Sequence, residues 1–492
     1  LEDKKIFTAK SIYLDSVEKK GFSFVVEKGQ ITAIGKRELV LDQFPFVKEE
    51  SLDGYVYPAF FDAHVHLGEV SLLNSSIDAT NVSNFNELLG LTNNKESQVA
   101  FIYNLDFNKI VPEEFFKLFK SNNKLFIQSK DEHSVFVSMP LLDEKEIKIG
   151  DVQGGELLYV DGQFAGVFKD NAIHLVKSIK DRIPSHDDIN KAQTYFLRRG
   201  ITSVVNFDFS VYQILTEIKD VLEIRIVQGI QKDYLDQFVS EGIKTNDGDA
   251  KLKIGPVKCF LDGSLGSQTA YMKNSFPFQG LLTMSESEFK ETVMLANSKG
   301  IQVAVHAIGS GAVNIALRVF KDASNPLLRN RIEHLQFIDE NDLNLLRITP
   351  FIASMQPTHA ISDYHLYKKF MSSFRYAYAW RTVKNASKII AFGSDAPVED
   401  ANPILGIYAA SKRKTLKEGL GYLEEETISV SDAINAYTFG STFASFSETY
   451  IGQLKEDYIA DFVVVDKSLI KGKILESKVL STYIGGEIAW TK

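Results

Sequence analysis

Apolar residues along this chain fall into two rhythms. Near the start, KIFTAKSIYLD and GFSFVVEKGQITAIG read as short strands, the latter interrupted at Lys28-Gly29 in the manner of a two-residue hairpin. Near the other end, DFVVVD and STYIGGEIAW carry the same signature. Strands at both ends predict one small β domain assembled from the two termini. Between them, apolar runs alternate with helical patterns, which is the order of a parallel sheet covered by helices. The runs are YVYPAFFDAHVH, GITSVVNF, EIRIVQG, KIGPVKCFLDG, GIQVAVHAIG, RIEHLQF, PFIASMQP and KIIAFGSDAP. Eight βα units close a barrel, whose active site then lies at the C-terminal strand ends. The helical stretches 187–199 and 285–298 run into Gly200 and Gly300, as helices ended by a glycine do.

One interval exceeds any ordinary connection, namely the segment that follows Leu67 and runs to about Ser185. It contains strand-like pieces, QVAFIYNLDF, KLFIQSKDEHSVFVS and ELLYVDGQFAGVF, with a turn signal at Asp161-Gly162. The expectation is an inserted, folded subdomain lying over the barrel mouth. The expected divisions are thus 1–57 and 440–492 for the terminal β domain and 58–439 for the barrel, with the insertion at about 68–185.

Composition narrows the class. At 492 residues, 44% hydrophobic and 24% charged, the chain is close to the soluble globular average, and no apolar run would span a bilayer. The single cysteine, Cys259, forbids an internal disulfide and points to a reducing compartment, so a cytoplasmic location is expected. A formal charge of −9 with no basic patch argues against nucleic acid as a partner. A small-molecule substrate is expected instead, in a monomer or a homo-oligomer.

The chemistry concentrates at strand ends. His64 and His66 alternate on the first strand, so both side chains share a face and can reach one metal ion. By themselves they could equally be incidental histidines on a half-buried strand. Lys258 on the fourth strand, His306 on the fifth, His334 on the sixth and Asp395 on the eighth fall at the same level. His306 to His334 spans one βα unit of about thirty residues and His334 to Asp395 spans two. Asp62 shares the face of His64 and could orient a ligand. A carboxylate such as Asp395, beside a metal-activated water, can take its proton and hand it to a leaving group.

The segments GYVYPAFFDAHVHL, VKCFLDGSLGSQTA, VHAIG, RIEHLQF, SMQPTHAISD, AYAWR, FGSDAPVEDANPILGIYAA and IADFVVVD, in this order, resemble the motifs of amidohydrolase family 3, the branch with N-substituted formamide deformylases. The resemblance spans nearly the whole chain. It implies an α/β fold, a distorted TIM (β/α)8 barrel with a β-sandwich built from both termini. It also implies a divalent metal, with zinc best suited to histidine and carboxylate ligands and manganese or iron also compatible. His64, His66 and Asp395 become ligands of a more buried ion and His306 and His334 ligands of a second. Lys258 would bridge them as a carbamate, although a lysine snorkelling from a strand end is an alternative.

His133 in KDEHSVFVS and His359 in QPTH resemble positions that face the substrate, where an imidazole could polarise a carbonyl; each could equally be structural. His174, His186 and His365 read as surface residues. Asp262 and Ser264 could bond ligands or cap a turn. The chain departs from the family pattern at Glu132, Ser310 and Gln268, near the expected substrate pocket. The expected activity is hydrolysis of an amide or formamide C–N bond. Cleavage of a cyclic amide or ester, or a barrel that has lost its chemistry, are the alternatives.

Overall fold

The computed structural model describes residues 4–92, 99–129, 134–152, 155–180, 183–266, 268–274 and 278–492. The eight apolar runs become the eight parallel strands of one sheet: Phe60–Val65, Ile201–Asn206, Arg225–Gln231, Leu252–Phe260, Val303–Ala307, Arg331–His334, Ile352–Met355 and Ile390–Phe392. They are numbered one to eight below. Beyond the eighth, Ala396 bridges in parallel to Val65 on the first, so the sheet nearly closes on itself. Most residues in these strands are buried whichever way they point, because the inside of a barrel is packed and helices cover the outside.

The helices between the strands start and stop where the local chemistry says. The helix Glu286–Ser298 is capped by Ser285, whose side chain accepts from the Glu288 N–H. Gly300 follows it with φ of +79°, the left-handed turn that returns the chain to strand five.

The apolar stretch YVYPAFFDAHVH divides at Ala59. Residues Lys48–Pro58 belong to the terminal sheet and Phe60–Val65 to the barrel. At the division the Ala59 N–H donates to Asp461 O and the Phe60 N–H to Gly200 O, so each side is already hydrogen-bonded to a different sheet.

The terminal sheet has eight strands drawn from both ends of the chain. Its hairpins turn at Lys28-Gly29 and Gly485-Gly486, and all four residues have positive φ, as type I′ turns require. Phe24 and Phe462 lie on strands three spacings apart in the sheet, yet their ring centroids are 5.2 Å apart. Flat strands would hold them roughly 14 Å apart. The sheet therefore folds over on itself, and Phe7, Phe24, Phe462 and Tyr483 fill the space between its halves as in a sandwich.

Residues 68–192 form a separate compact unit. Its six-stranded sheet includes Ala100–Leu105, Leu125–Ser129, Ser134–Val137, Gly155–Val160 and Gln163–Asp170, the last two joined through Asp161-Gly162 with positive φ at both. KLFIQSKDEHSVFVS supplies two antiparallel strands instead of one. Among the described residues no helix is long and apolar enough to cross a membrane.

Candidate metal centre

Parallel strands bring their C-terminal ends to one face of the barrel, and the chemically distinctive residues collect there. His64 lies in strand one, with His66 just beyond it, Lys258 in strand four and His306 in strand five. His334 ends strand six, and Asp395 follows strand eight. Ring centroids are 5.6 Å apart for His64 and His66, 5.0 Å for His64 and His334, and 4.4 Å for His306 and His334. Asp395 Oδ1 lies 3.1 Å from His66 Nε2 and 3.4 Å from His64 Nε2. Donor atoms of these three residues all fall within 4.8 Å of one another. Lys258 Nζ is 3.4 Å from His64 Nε2 and sits over the Phe207 ring.

Strand alternation alone would not assemble this group. His334 and Leu335 have φ of +69° and +47°, and Asp395 has +62°. Left-handed backbone at non-glycine residues is uncommon and gathers at functional sites. It allows Glu333 and His334, neighbours in sequence, both to face the cluster.

His359, on the helix Pro357–Ser362 after strand seven, places Nε2 3.4 Å from Asp395 Oδ2. Its Nδ1 is 3.5 Å from Gln336 Nε2. His133 and Glu132 lie outside the described residues. His174 and His186 are exposed, and His365 is exposed beside Glu418 at 3.2 Å.

Two carboxylates that sequence reasoning did not single out hold the paired histidines. Glu333 Oε2 is 2.7 Å from His64 Nδ1, and Asp208 Oδ1 is 3.0 Å from His66 Nδ1. Asp62 does something else: its Oδ1 accepts from the backbone N–H groups of His64 and Ser394, tying strand one to the turn after strand eight. Asp262 likewise accepts from the N–H groups of Tyr271, Ile308 and Gly309 and fixes the loops beside His306. Ser264 belongs to the same turn, accepting the Thr269 N–H at its carbonyl, and the Ser310 hydroxyl accepts the Lys273 N–H.

Electrostatics favours a cation. Burial, reinforced by the Lys258 charge, lowers His64 to about 4 and His306 to about 3. Burial and the neighbouring His306 hold His334 well below the ordinary imidazole value. All three rings are therefore neutral at pH 7 and offer lone pairs. Burial also lowers Lys258 to about 8, against the pull of Glu333 and Asp395. His66 differs, since burial lowers it but hydrogen bonds to Asp208 and Asp395 lift it to about 10. A proton on that ring occupies a place between two carboxylates where positive charge is required. Asp395 stays ionised despite its burial because His359, His64 and His66 surround it.

Among the described residues His334 Nδ1 is buried with no hydrogen-bond partner, whereas His359 Nε2 faces the Asp395 carboxylate. Neutral imidazoles, an ionised carboxylate and an orphaned ring nitrogen within one small volume are the donor set of a divalent metal site. The residues present fit such an ion.

A sequence model described as the amidohydrolase family matches residues 52–489. The chain belongs to the amidohydrolase family. Membership supports hydrolase activity and implies a divalent metal. Among related chains, the protein LONG AFTER FAR-RED 3 of Arabidopsis thaliana is 27% identical over 494 residues, covering 89% of this chain and 83% of its own. YtcJ of Bacillus subtilis (strain 168) is 26% identical over 517 residues and covers 95% of both chains. A shorter match, 21% identical over 217 residues, joins 42% of this amidohydrolase to 40% of an N-substituted formamide deformylase of Arthrobacter pascens. In fold it resembles an uncharacterized metal-dependent hydrolase of Pyrococcus horikoshii, with a TM-score of 0.80 at 24% identity over 96% of this chain and 99% of that one.

Proposed function

We propose that this amidohydrolase cleaves the C–N bond of a small amide or formamide. The observation that carries the reading is the meeting of His64, His66 and Asp395 donor atoms within 4.8 Å at the C-terminal face of the barrel. The partial match to a protein named N-substituted formamide deformylase supports the choice of bond. His64, His66 and Asp395 would hold one ion, zinc being best suited to these ligands, and His306 and His334 would hold a second. Such an ion supplies Lewis acidity and makes a nucleophile of water near neutral pH.

The chain's own groups handle the protons. Asp395 Oδ2 takes one from the attacking water and delivers it to the departing nitrogen, turning a poor leaving group into a neutral amine. His359 stands beside that oxygen and holds the scissile carbonyl. Lys258, as a carbamate formed when its neutral amine adds CO₂ and releases a proton, would offer carboxylate oxygens to the metal centre. Its lowered affinity for a proton makes the neutral amine available.

The test is a hydrolysis screen over N-formyl, N-acyl and cyclic amides with metal content controlled. Chelation should abolish turnover and added zinc should restore it. Full activity in protein stripped of metal would overturn the reading. Hydrolysis confined to cyclic amides would move the reading to ring opening. In Lys258→Ala, metal content and activity should both fall, with partial rescue by short carboxylates that refill the bridge. Undiminished metal content would remove Lys258 from the centre.

A further inference from the structure

We infer that Glu333, anchored by Arg331, is a positioning residue that fixes His64 as its Nδ1–H tautomer and so turns the Nε2 lone pair toward the centre. The inference rests on the reading of that centre as a metal site. Arg331 and Glu333 alternate along strand six and share its inward face. The guanidinium donates from Nε to Glu333 Oε1 at 2.7 Å and from Nη2 to Oε2 at 3.1 Å. Nη2 also donates to Ala63 O on strand one at 2.7 Å and to Ser354 Oγ on strand seven at 2.9 Å. The arginine is thus pinned to three strands, and the carboxylate it holds cannot follow a rotating ring.

A carboxylate paired to a guanidinium is ionised and can only accept hydrogen bonds. His64 Nδ1, 2.7 Å from Oε2, must therefore donate. In a neutral imidazole the lone pair then resides on Nε2. That atom lies 3.4 Å from both Asp395 Oδ1 and Lys258 Nζ, at the middle of the cluster. Side-chain exposure is 0% for Arg331 and Glu333 and 1% for His64. Burying an ion pair so deeply gives no clear stability gain over apolar packing. The orientation of His64 is what the arrangement secures.

His66 receives the weaker version of this device. Asp208 has a side chain 13% exposed and pairs with a ring 22% exposed, so water competes for the contact.

The test uses the full chain with Arg331→Met combined with Glu333→Gln, because Glu333→Gln alone leaves a buried guanidinium uncompensated and risks misfolding. The double variant removes both charges at similar volume, and its fold is checked by circular dichroism. The amide can donate as well as accept, so it no longer dictates the tautomer. One readout is ¹⁵N-histidine NMR of metal-free protein, with the His64 signals identified from a His64→Asn spectrum. The other is cobalt(II) affinity by competition with a chelator.

The wild-type His64 should show the Nδ1–H pattern alone, and the double variant a mixture of tautomers. Cobalt affinity should fall about 10- to 100-fold in the folded double variant. An Nε2–H pattern in the wild type, or wild-type cobalt affinity in the double variant, would overturn the inference. Wild-type protein with the Nδ1–H pattern and no cobalt uptake would sink the metal-site reading while upholding the pairing.

Discussion

At the scale of single residues, the centre depends on side chains held by backbone that most residues avoid. Asp395 has φ of +62°, and its N–H donates to His64 O at 2.8 Å, so its conformation is locked to the strand that carries the histidines. Asparagine adopts left-handed backbone more readily than most residues. Asp395→Asn should accordingly leave the fold intact while removing the charge and the proton acceptor. The expected result is a fall in kcat of at least about 10²-fold in metal-loaded protein, within the range that general acid–base catalysis supplies. Steady-state kinetics with metal analysis on the same sample checks this. Near-normal kcat at full metal content would take Asp395 out of proton transfer.

At the scale of elements, close approach of strands one and eight sets the position of His64. Gly393, directly after strand eight, leaves no room for a side chain: a Cβ there would lie 2.6 Å from His64 N, 2.9 Å from Asp62 Oδ1 and 2.9 Å from His64 Cβ. Two of these atoms belong to the rigid stem of the candidate ligand and cannot swing aside. Gly393→Ala should displace His64 and cost about 1–3 kcal/mol of stability as overpacking. Metal affinity should fall with it, whereas Gly90→Ala, where a Cβ meets nothing within 4 Å, should leave metal binding unchanged. Equal metal affinity in both variants would show that strand one yields without moving its histidine.

The same elements show what was legible beforehand. Periodicity marked all eight barrel strands, and the βα spacing put His306, His334 and Asp395 at their ends. The periodicity of YVYPAFFDAHVH does not itself show the division at Ala59, because both halves are apolar and only their hydrogen-bond partners differ, although the expected boundary between 57 and 58 lies beside it. Glu333 was hidden because alternation sends it away from His334 unless φ turns positive, and no local residue type signals that. Asp208 was hidden because it stands 142 residues from His66 in sequence and meets it only through the parallel pairing of strands one and two.

At the scale of the molecule, the barrel and the terminal sheet are joined by a buried ion pair. Arg225 begins strand three, and Asp461 directly precedes the terminal-sheet strand Phe462–Val465. Arg225 Nη1 donates to Asp461 Oδ2, and Nη2 lies 3.4 Å from Oδ1, while Oδ1 also accepts the Gly485 N–H at 2.9 Å. Removing one member strands the other. Arg225→Met should therefore destabilise the protein by about 3–5 kcal/mol, the cost of an uncompensated buried charge.

The pH dependence has a definite sign. Burial already raises the Asp461 carboxyl above its ordinary value, and Arg225 opposes that rise. Without the arginine the folded-state value climbs further above the unfolded one. The folded variant then binds more protons than the unfolded chain between those two values, and its stability falls as pH rises through them. The deficit relative to wild type should be largest near neutral pH and shrink on acidification, as Asp461 takes up a proton and ceases to be a buried charge. Urea unfolding of both proteins at pH 7.5 and pH 5 measures it, and Asp461→Asn in the Arg225→Met background should remove the pH dependence. A deficit of equal size at both pH values would mean that the lost stability comes from the packing of the Arg225 stem and not from its charge.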